Sequence, residues 1–135
     1  MTSNIKIIII ISVLVVIIGL FGLLQKKPRK LNKTHYKKNW DKLQQLLPNK
    51  STWPLAIIDA DKLLDEALKK RRFKGKTTGE RLVAAQHSLT DNDGAWFGHK
   101  LRNKLVHEQD IKLRKSDVKN ALTGIRQALK DLKAL

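Results

Sequence analysis

The sequence predicts an all-α protein, with one apolar helix at its N-terminus followed by a small bundle of five helices. Three observations lead to this fold class. Residues 7–24 form an unbroken apolar run, the rest of the chain repeats apolar residues at helical spacing, and no stretch alternates as a β-strand does. We therefore divide the chain into an anchor at residues 1–24, a basic juxtamembrane linker at residues 25–38 and a helical domain at residues 39–135.

The N-terminal apolar run has the length of a membrane span. Of its 18 residues, from Ile7 to Leu24, only Ser12 has a polar side chain and none is charged. At about 1.5 Å per residue, a helix of this length reaches roughly 27 Å, close to the thickness of a bilayer's hydrocarbon core. The alternative is a cleaved secretory signal, but the basic cluster follows the run instead of preceding it, and no A-x-A-like site follows. The sequence therefore favours an uncleaved single-pass anchor.

Basic residues crowd the C-terminal side of this run. The membrane-surface cluster consists of Lys26, Lys27, Arg29 and Lys30, whereas Lys6 is the only cationic side chain that precedes the run. The positive-inside rule keeps the more basic flank in the cytoplasm. We therefore expect a plasma-membrane protein with its N-terminus outside and its C-terminal domain cytoplasmic, and we expect the cluster to contact the lipid bilayer.

The part of the chain after the anchor is strongly basic. Residues 25–135 hold 27 of the 28 lysines and arginines and all 12 acidic residues, a balance of +15. This charge suits an anionic partner, either the inner leaflet of the membrane or RNA. The chain has no cysteine, which excludes disulfides, thiol nucleophiles and thiolate zinc sites, and its four histidines form no H-E-x-x-H pair. We expect no metal and no cofactor.

Apolar spacing and proline positions predict the first two helices of the domain. The first helix covers about residues 34–47, and Pro48 ends it. Pro54 suits the first turn of the second helix, where its missing amide costs nothing. This helix has a continuous apolar face and is expected to end near Phe73.

Capping signals predict the other three helices. Thr77 and Glu80 form a capping-box pattern that opens a short third helix through about Leu89. Residues 91–94, Asp-Asn-Asp-Gly, predict a turn before a fourth helix at about residues 95–108. A cap at Ser116-Asp117 predicts a fifth helix, whose apolar residues keep helical spacing to Leu132.

Two sequence patterns could indicate binding sites, but each also has a structural interpretation that we favour. Gly75-Lys76-Thr77 resembles part of a phosphate-binding loop, yet residue 70 is a lysine where that loop needs a glycine, so a turn between helices is the better interpretation. The acids Asp59, Asp61, Asp65 and Glu66 could ligate a metal, but nearby lysines favour ordinary ion pairs on a solvated helix face.

The aromatic residues of the domain likewise have two interpretations. Exposed rings could stack on nucleic-acid bases. In so small a domain, aromatic side chains more often fill the core or the gaps between helices, and we favour packing for the following five residues. They are Trp40, Trp53, Phe73, Trp96 and Phe97.

The most informative segment for function is His99–Glu108. On a helix, Asn103 and His107 lie one turn apart on one face, and Arg102 lies about 140° round from His107 with a side chain long enough to reach the same edge. Histidine can move protons near neutral pH, and arginine can form a fork onto a phosphate, so this set suits chemistry on phosphodiesters. The structural alternative is an inert histidine placed favourably at a helix C-terminus.

The six-residue pattern from Arg102 through Asn103 to His107 resembles the signature of the HEPN superfamily. The context is also similar to the HEPN-like domains of uncharacterised bacterial proteins, in which a helix like Ala56–Leu68 precedes a turn like Gly75–Leu82 and the arginine–histidine helix follows. The resemblance covers roughly residues 50–133. It implies a helical bundle that forms a homodimer, with two copies of the motif in a shared cleft.

The resemblance also implies roles for individual residues. Many HEPN members are metal-independent endoribonucleases, and by that likeness Arg102, Asn103 and His107 are the catalytic residues. His107 would handle protons, Arg102 would stabilise charge on the phosphate, and Asn103 would orient the histidine or the phosphate. Glu108 would compete for Arg102 or keep His107 protonated. His99 would join the cleft or, as we favour, serve packing.

Three hypotheses for function follow. The first is a membrane-anchored, dimeric HEPN-like ribonuclease that acts on RNA. The second is a non-catalytic module of the same fold that binds a nucleotide or an unidentified protein partner at the membrane. The third is a structural membrane-surface protein whose charge serves lipid only. The motif separates the first two from the third, and the sequence does not separate the first from the second.

Overall fold

The chain forms six α-helices and no β-strand among the residues that the structure describes, which are 2–25 and 27–135 of a computed structural model. Short 3₁₀ turns at Lys50–Thr52 and Gln86–Ser88 lie between helices. The predicted all-α class is confirmed. The α-helices are α1 (Thr2–Leu24), α2 (Lys33–Gln44), α3 (Trp53–Lys70), α4 (Thr78–Ala85), α5 (Asn92–His107) and α6 (Lys115–Asp131).

Helix α1 contains the whole predicted span and is long and apolar enough to cross a membrane. All of its residues are exposed, so its apolar side chains bury nothing against the rest of the chain. A membrane anchor and a leader sequence both meet these criteria of length and composition. The structure thus confirms a candidate membrane-spanning helix at the predicted place.

Helix α3 is the centre of the bundle. It contacts α2, α4, α5 and α6, and eight of its residues are buried. Pro54 lies in its first turn as predicted. The helix ends at Lys70, because Arg72 adopts a left-handed backbone conformation with φ of 65°.

Helices α5 and α6 form the most extensive helix–helix contact in the bundle. Their close approach depends on two glycines. A Cβ atom on Gly98 would lie 2.7 Å from the Ile125 side chain, and one on Gly124 would overlap the backbone of Gly94. Glycine therefore occupies these positions because the Ile125 side chain at one and the Gly94 backbone at the other leave no room for a Cβ atom.

The capping box at the start of α4 is confirmed. The hydroxyl of Thr77 accepts a hydrogen bond from the Glu80 amide at 3.2 Å, and the Glu80 carboxylate accepts one from the Thr77 amide at 3.3 Å. The α-helix is shorter than predicted, since residues 86–88 continue as a 3₁₀ turn.

Two predicted helix starts are wrong. Asp91 is the cap of α5 and not part of a free turn, because its carboxylate accepts a hydrogen bond from the Gly94 amide at 2.9 Å. Helix α5 therefore begins three residues earlier than expected, at Asn92. At α6 the capping position is Arg114, whose amide donates to the Asp117 carboxylate at 3.2 Å, so Ser116 and Asp117 already belong to the first turn.

The packed region extends into the segment that we assigned to the linker. Leu31 is 6% exposed and Tyr36 is fully buried, and both belong to the core. Asn32 caps α2 by accepting a hydrogen bond from the His35 amide at 3.2 Å. Burial, and secondly the nearby Glu66 carboxylate, raises the pKa of Tyr36 to about 12. The core therefore begins at Leu31, seven residues after α1 ends.

Candidate functional site

The predicted site residues lie on α5, and one of its faces packs against α3. Arg102 and Asn103 lie three and four residues after His99, so both share a face of the helix with it. His99 is 7% exposed, while Arg102 and Asn103 are half-buried. The face of α5 that packs on α3 is therefore polar at this point. Its buried polar groups need a hydrogen-bonding partner on α3.

That partner is Asp61 of α3. It is 3% exposed, and its carboxylate lies 3.0 Å from Nδ1 of His99 and 3.8 Å from Nε of Arg102. Our expectation that Asp61 lies on a solvated helix face is wrong. The sequence held a signal, because Ile57, Asp61, Leu64 and Leu68 follow one another at the spacing of a buried face.

Asn103 completes the set, which we call the α5 polar cluster: Asp61, His99, Arg102 and Asn103. The Asn103 side chain accepts a hydrogen bond from Arg102 at 3.1 Å, and its amide nitrogen lies 3.3 Å from Nε2 of His99. A neutral imidazole that donates from Nδ1 to Asp61 and accepts at Nε2 from Asn103 satisfies both contacts. Every member of the cluster is thus held by at least two others.

His107 and Glu108 lie outside this cluster, at the C-terminal end of α5, and both are exposed. Glu108 follows the last helical residue, and its amide donates to the Lys104 carbonyl at 2.8 Å. Within the described chain, neither side chain forms a hydrogen bond or an ion pair with Arg102 or Asn103. The structure therefore brings together Arg102, Asn103 and His99, and it leaves His107 as a separate, solvent-facing imidazole.

A pocket, the α4–α5 pocket, opens beside the polar cluster, with a volume of about 560 Å³. Residues 76–79 at the start of α4 form one wall, and α5 forms the other. The side chains of Lys76, Lys100 and Arg102 bring positive charge to it, and no acidic residue lines it within the described chain.

Trp96 places an aromatic ring in the same pocket. Its ring lies edge-on to the His99 imidazole, with centroids 5.8 Å apart, and Nζ of Lys100 lies 5.9 Å from the ring centroid. The residue is only partly buried against the core, so part of the ring stays accessible. A flat ring beside free cations can bind a base and its phosphate together.

Arg81 lines the pocket but its charge is already matched. Its Nε donates to Asp65 at 2.8 Å, and its side chain is 8% exposed. Burial raises the pKa of Asp65, but hydrogen bonds from Arg81 and Lys69 outweigh it and lower that pKa below its usual value. The ion pairs among described residues include neither Lys76 nor Lys100. Those two lysines are therefore the cations of the pocket whose charge no ion pair among the described residues matches.

The remaining predicted residues are surface groups. Lys27, Arg29 and Lys30 of the membrane-surface cluster are exposed, and Lys26 lies outside the described residues. The acids do not gather into a metal site, since no group of three or more histidine, aspartate or glutamate side chains within residues 2–25 and 27–135 could hold a metal ion.

We predict that the Asp61→Ala substitution destabilises the domain by about 1–3 kcal/mol, because it leaves buried hydrogen-bonding groups of His99 and Arg102 unpaired. The measurement is the thermal unfolding midpoint of the full chain, followed by near-ultraviolet circular dichroism. Asp59→Ala, on the same helix but partly exposed, is the matched control and should change stability by less than about 0.5 kcal/mol. Equal midpoints for the two variants would contradict a structural role for the polar cluster.

Comparisons of this chain with protein-family models, with curated proteins and with solved structures found no match. The residues of the site are therefore the basis for its proposed function.

Proposed function

We propose that this protein is a membrane-anchored, HEPN-like helical bundle that binds RNA, with RNA phosphates held in the α4–α5 pocket. The observation that carries the proposal is the pocket itself. It combines Lys76, Lys100 and Arg102 with an accessible aromatic ring at Trp96, and no acidic residue lines it within the described chain. This is the donor set expected for a phosphodiester next to an unpaired base.

The three cations suit different parts of such a ligand. Lys76 and Lys100 are exposed point charges on flexible stems, which can follow a mobile backbone. Arg102 is held in place by Asn103 and Asp61, so its remaining N–H groups present a fixed direction to a phosphate oxygen. The balance of +15 in residues 25–135 supports the proposal, because it draws any polyanion toward the domain.

The location of the domain is also part of the proposal. We propose that α1 is an uncleaved anchor in the plasma membrane and that the bundle lies on the cytoplasmic side, where RNA is present. The support is the length and apolarity of α1 together with the basic cluster that follows it.

We predict that a fluorescent protein fused to the C-terminus will fluoresce in a bacterial host, whereas alkaline phosphatase fused at the same position will be inactive, because it folds only outside the cytoplasm. Both fusions should stay in the membrane fraction after an alkaline wash. Active phosphatase would place the domain outside the cell and remove cellular RNA as a ligand.

We predict that the full chain, held in nanodiscs of zwitterionic lipid, binds a 12-nucleotide single-stranded RNA in the presence of a metal chelator. In the double variant Lys76→Ala and Lys100→Ala, the affinity should fall. The slope of log affinity against log salt should also decrease by about 1.4, because each lysine neutralises one phosphate in the parent complex and each phosphate of a single strand contributes about 0.7 to the slope. Fluorescence anisotropy at several salt concentrations measures both quantities.

The matched control is Lys112→Ala with Lys130→Ala, which removes the same charge from two exposed lysines outside the pocket. An equal fall in affinity in both double variants would show attraction by net charge alone and contradict the pocket as the site. No binding by the parent at low salt would contradict RNA binding altogether.

A second candidate function is RNA cleavage by Arg102, Asn103 and His107. The observation that favours it is the exposure of His107, one helical turn beyond Asn103 on the same helix. A solvent-facing imidazole in this position is accessible to a second copy of the chain. In a HEPN-like homodimer, His107 would move protons at the ribose 2′-hydroxyl, and Arg102 would stabilise the developing charge on the phosphate.

We predict for this candidate that the chain cleaves mixed RNA without metal and leaves 2′,3′-cyclic phosphate ends. His107→Ala should slow cleavage by about 10²–10⁴-fold, as expected for removal of a general acid or base, without changing the fold, since the side chain is exposed. Arg102→Ala should also abolish cleavage, and the particle should contain two copies of the chain. Cleavage that survives both substitutions would come from a contaminating nuclease. If the parent chain binds RNA without cleaving it, the cleavage function is contradicted and only the RNA-binding function remains.

A further inference from the structure

A second concave surface, the α2–α6 groove, lies between α2 and α6 and reaches the start of α3. Its volume is about 280 Å³, and none of its lining residues lines the α4–α5 pocket. Its floor is apolar and contains two of the chain's three tryptophans, Trp40 and Trp53. Leu47, Val118 and Leu122 complete the apolar lining.

The two tryptophans are held differently. Nε1 of Trp53 donates to the Leu47 carbonyl at 2.7 Å, which fixes that indole across the end of the groove. Trp40 is 4% exposed, and its indole nitrogen is buried without a hydrogen-bond partner within the described chain. The floor is therefore a rigid aromatic surface with little capacity for polar contacts.

The rim on α6 is cationic. Lys115, Lys119 and Arg126 line the groove at spacings of four and seven residues, so they run along one side of the helix for about 16 Å. No acidic residue lines the groove within the described chain, and the ion pairs among described residues include none of these three cations. An apolar trough beside a line of unpaired cations complements a molecule with an apolar chain and an anionic head.

We propose that the α2–α6 groove binds one acyl chain of an anionic membrane lipid, with the lipid headgroup on Lys115, Lys119 and Arg126. This inference rests on the proposed membrane anchor and is independent of RNA binding. Leu31, where the core begins, lies seven residues after Leu24, so even a fully extended connection spans only about 25 Å. The bundle that contains the groove is thus tethered to a bilayer that supplies the ligand.

The cationic rim, and not the apolar floor, decides which lipid binds. An acyl chain that leaves the bilayer for the groove moves from one apolar environment to another, so the transfer gains little hydrophobic free energy. The contacts of the headgroup with the rim therefore determine how the binding affinity differs between anionic and zwitterionic lipids. A lipid without net charge should therefore stay in the bilayer.

The test uses the full chain with Trp96→Phe, so that Trp40 and Trp53 report on the groove alone, in nanodiscs that contain an anionic lipid at fixed mole fraction. Bromine on the acyl chain of the anionic lipid should quench this fluorescence on contact, whereas bromine on the zwitterionic lipid in discs of the same composition should quench it much less. In the double variant Lys115→Gln and Lys119→Gln, quenching by the brominated anionic lipid should fall to the level seen with the brominated zwitterionic lipid.

The control variant, Lys62→Gln with Lys112→Gln, has the same net charge and should retain the quenching, because neither lysine lines the groove. An equal reduction in both variants would indicate adsorption of the whole basic domain to the bilayer and overturn the groove as a lipid site. Absence of quenching in a chain that stays with the discs would also overturn it, and an acidic peptide or other soluble partner would then be the occupant to seek. A chain that leaves the discs would overturn the anchor itself, and the lipid proposal with it.

Discussion

A single buried carboxylate constrains the arrangement of the helices that form the site. Asp61 is almost inaccessible to solvent, and a charge at that depth requires partners. His99 and Arg102 provide them from one face of α5. This pairing fixes the rotation of α5 about its own axis. The same orientation of α5 places Trp96 and Lys100 beside the start of α4, where the pocket opens.

The position of Asp61 on α3 also links the site to the core. Ile57 and Leu64, one turn away on either side, are fully buried, and α3 contacts every other helix of the bundle. The polar cluster is therefore held by packing as well as by hydrogen bonds. A ligand that enters the pocket meets the Arg102 side chain and the Trp96 ring already in place, which reduces the cost of ordering these two groups on binding.

The sequence predicted the number and order of the helices but not the centre of the site. Apolar spacing and the capping box at Thr77 were sufficient for the helices, because both are local signals. The errors concern polar residues whose role depends on distant partners. Asp91 has the composition of a turn yet caps a helix, and Asp61 has lysines nearby yet pairs with a residue 38 positions away. The HEPN likeness remains a prediction, because it rests on a six-residue motif and its sequence context. The catalytic role of His107 also remains a prediction, because it depends on a second copy of the chain and on RNA.

Shape, more than charge, separates the possible anionic partners. If α1 spans a membrane, as proposed, the exposed cations of the domain lie near an anionic leaflet, and net charge alone does not distinguish lipid from RNA. Lys76 and Lys100 line a concave pocket between two helices, and a bilayer surface is too broad to enter it. A flexible RNA strand can enter, and Trp96 offers its bases a surface that lipid headgroups do not use.

The α2–α6 groove has the opposite character, since its apolar floor suits an acyl chain and offers a phosphodiester backbone few polar contacts. The ligands proposed for the two concave surfaces would therefore use different parts of the excess charge.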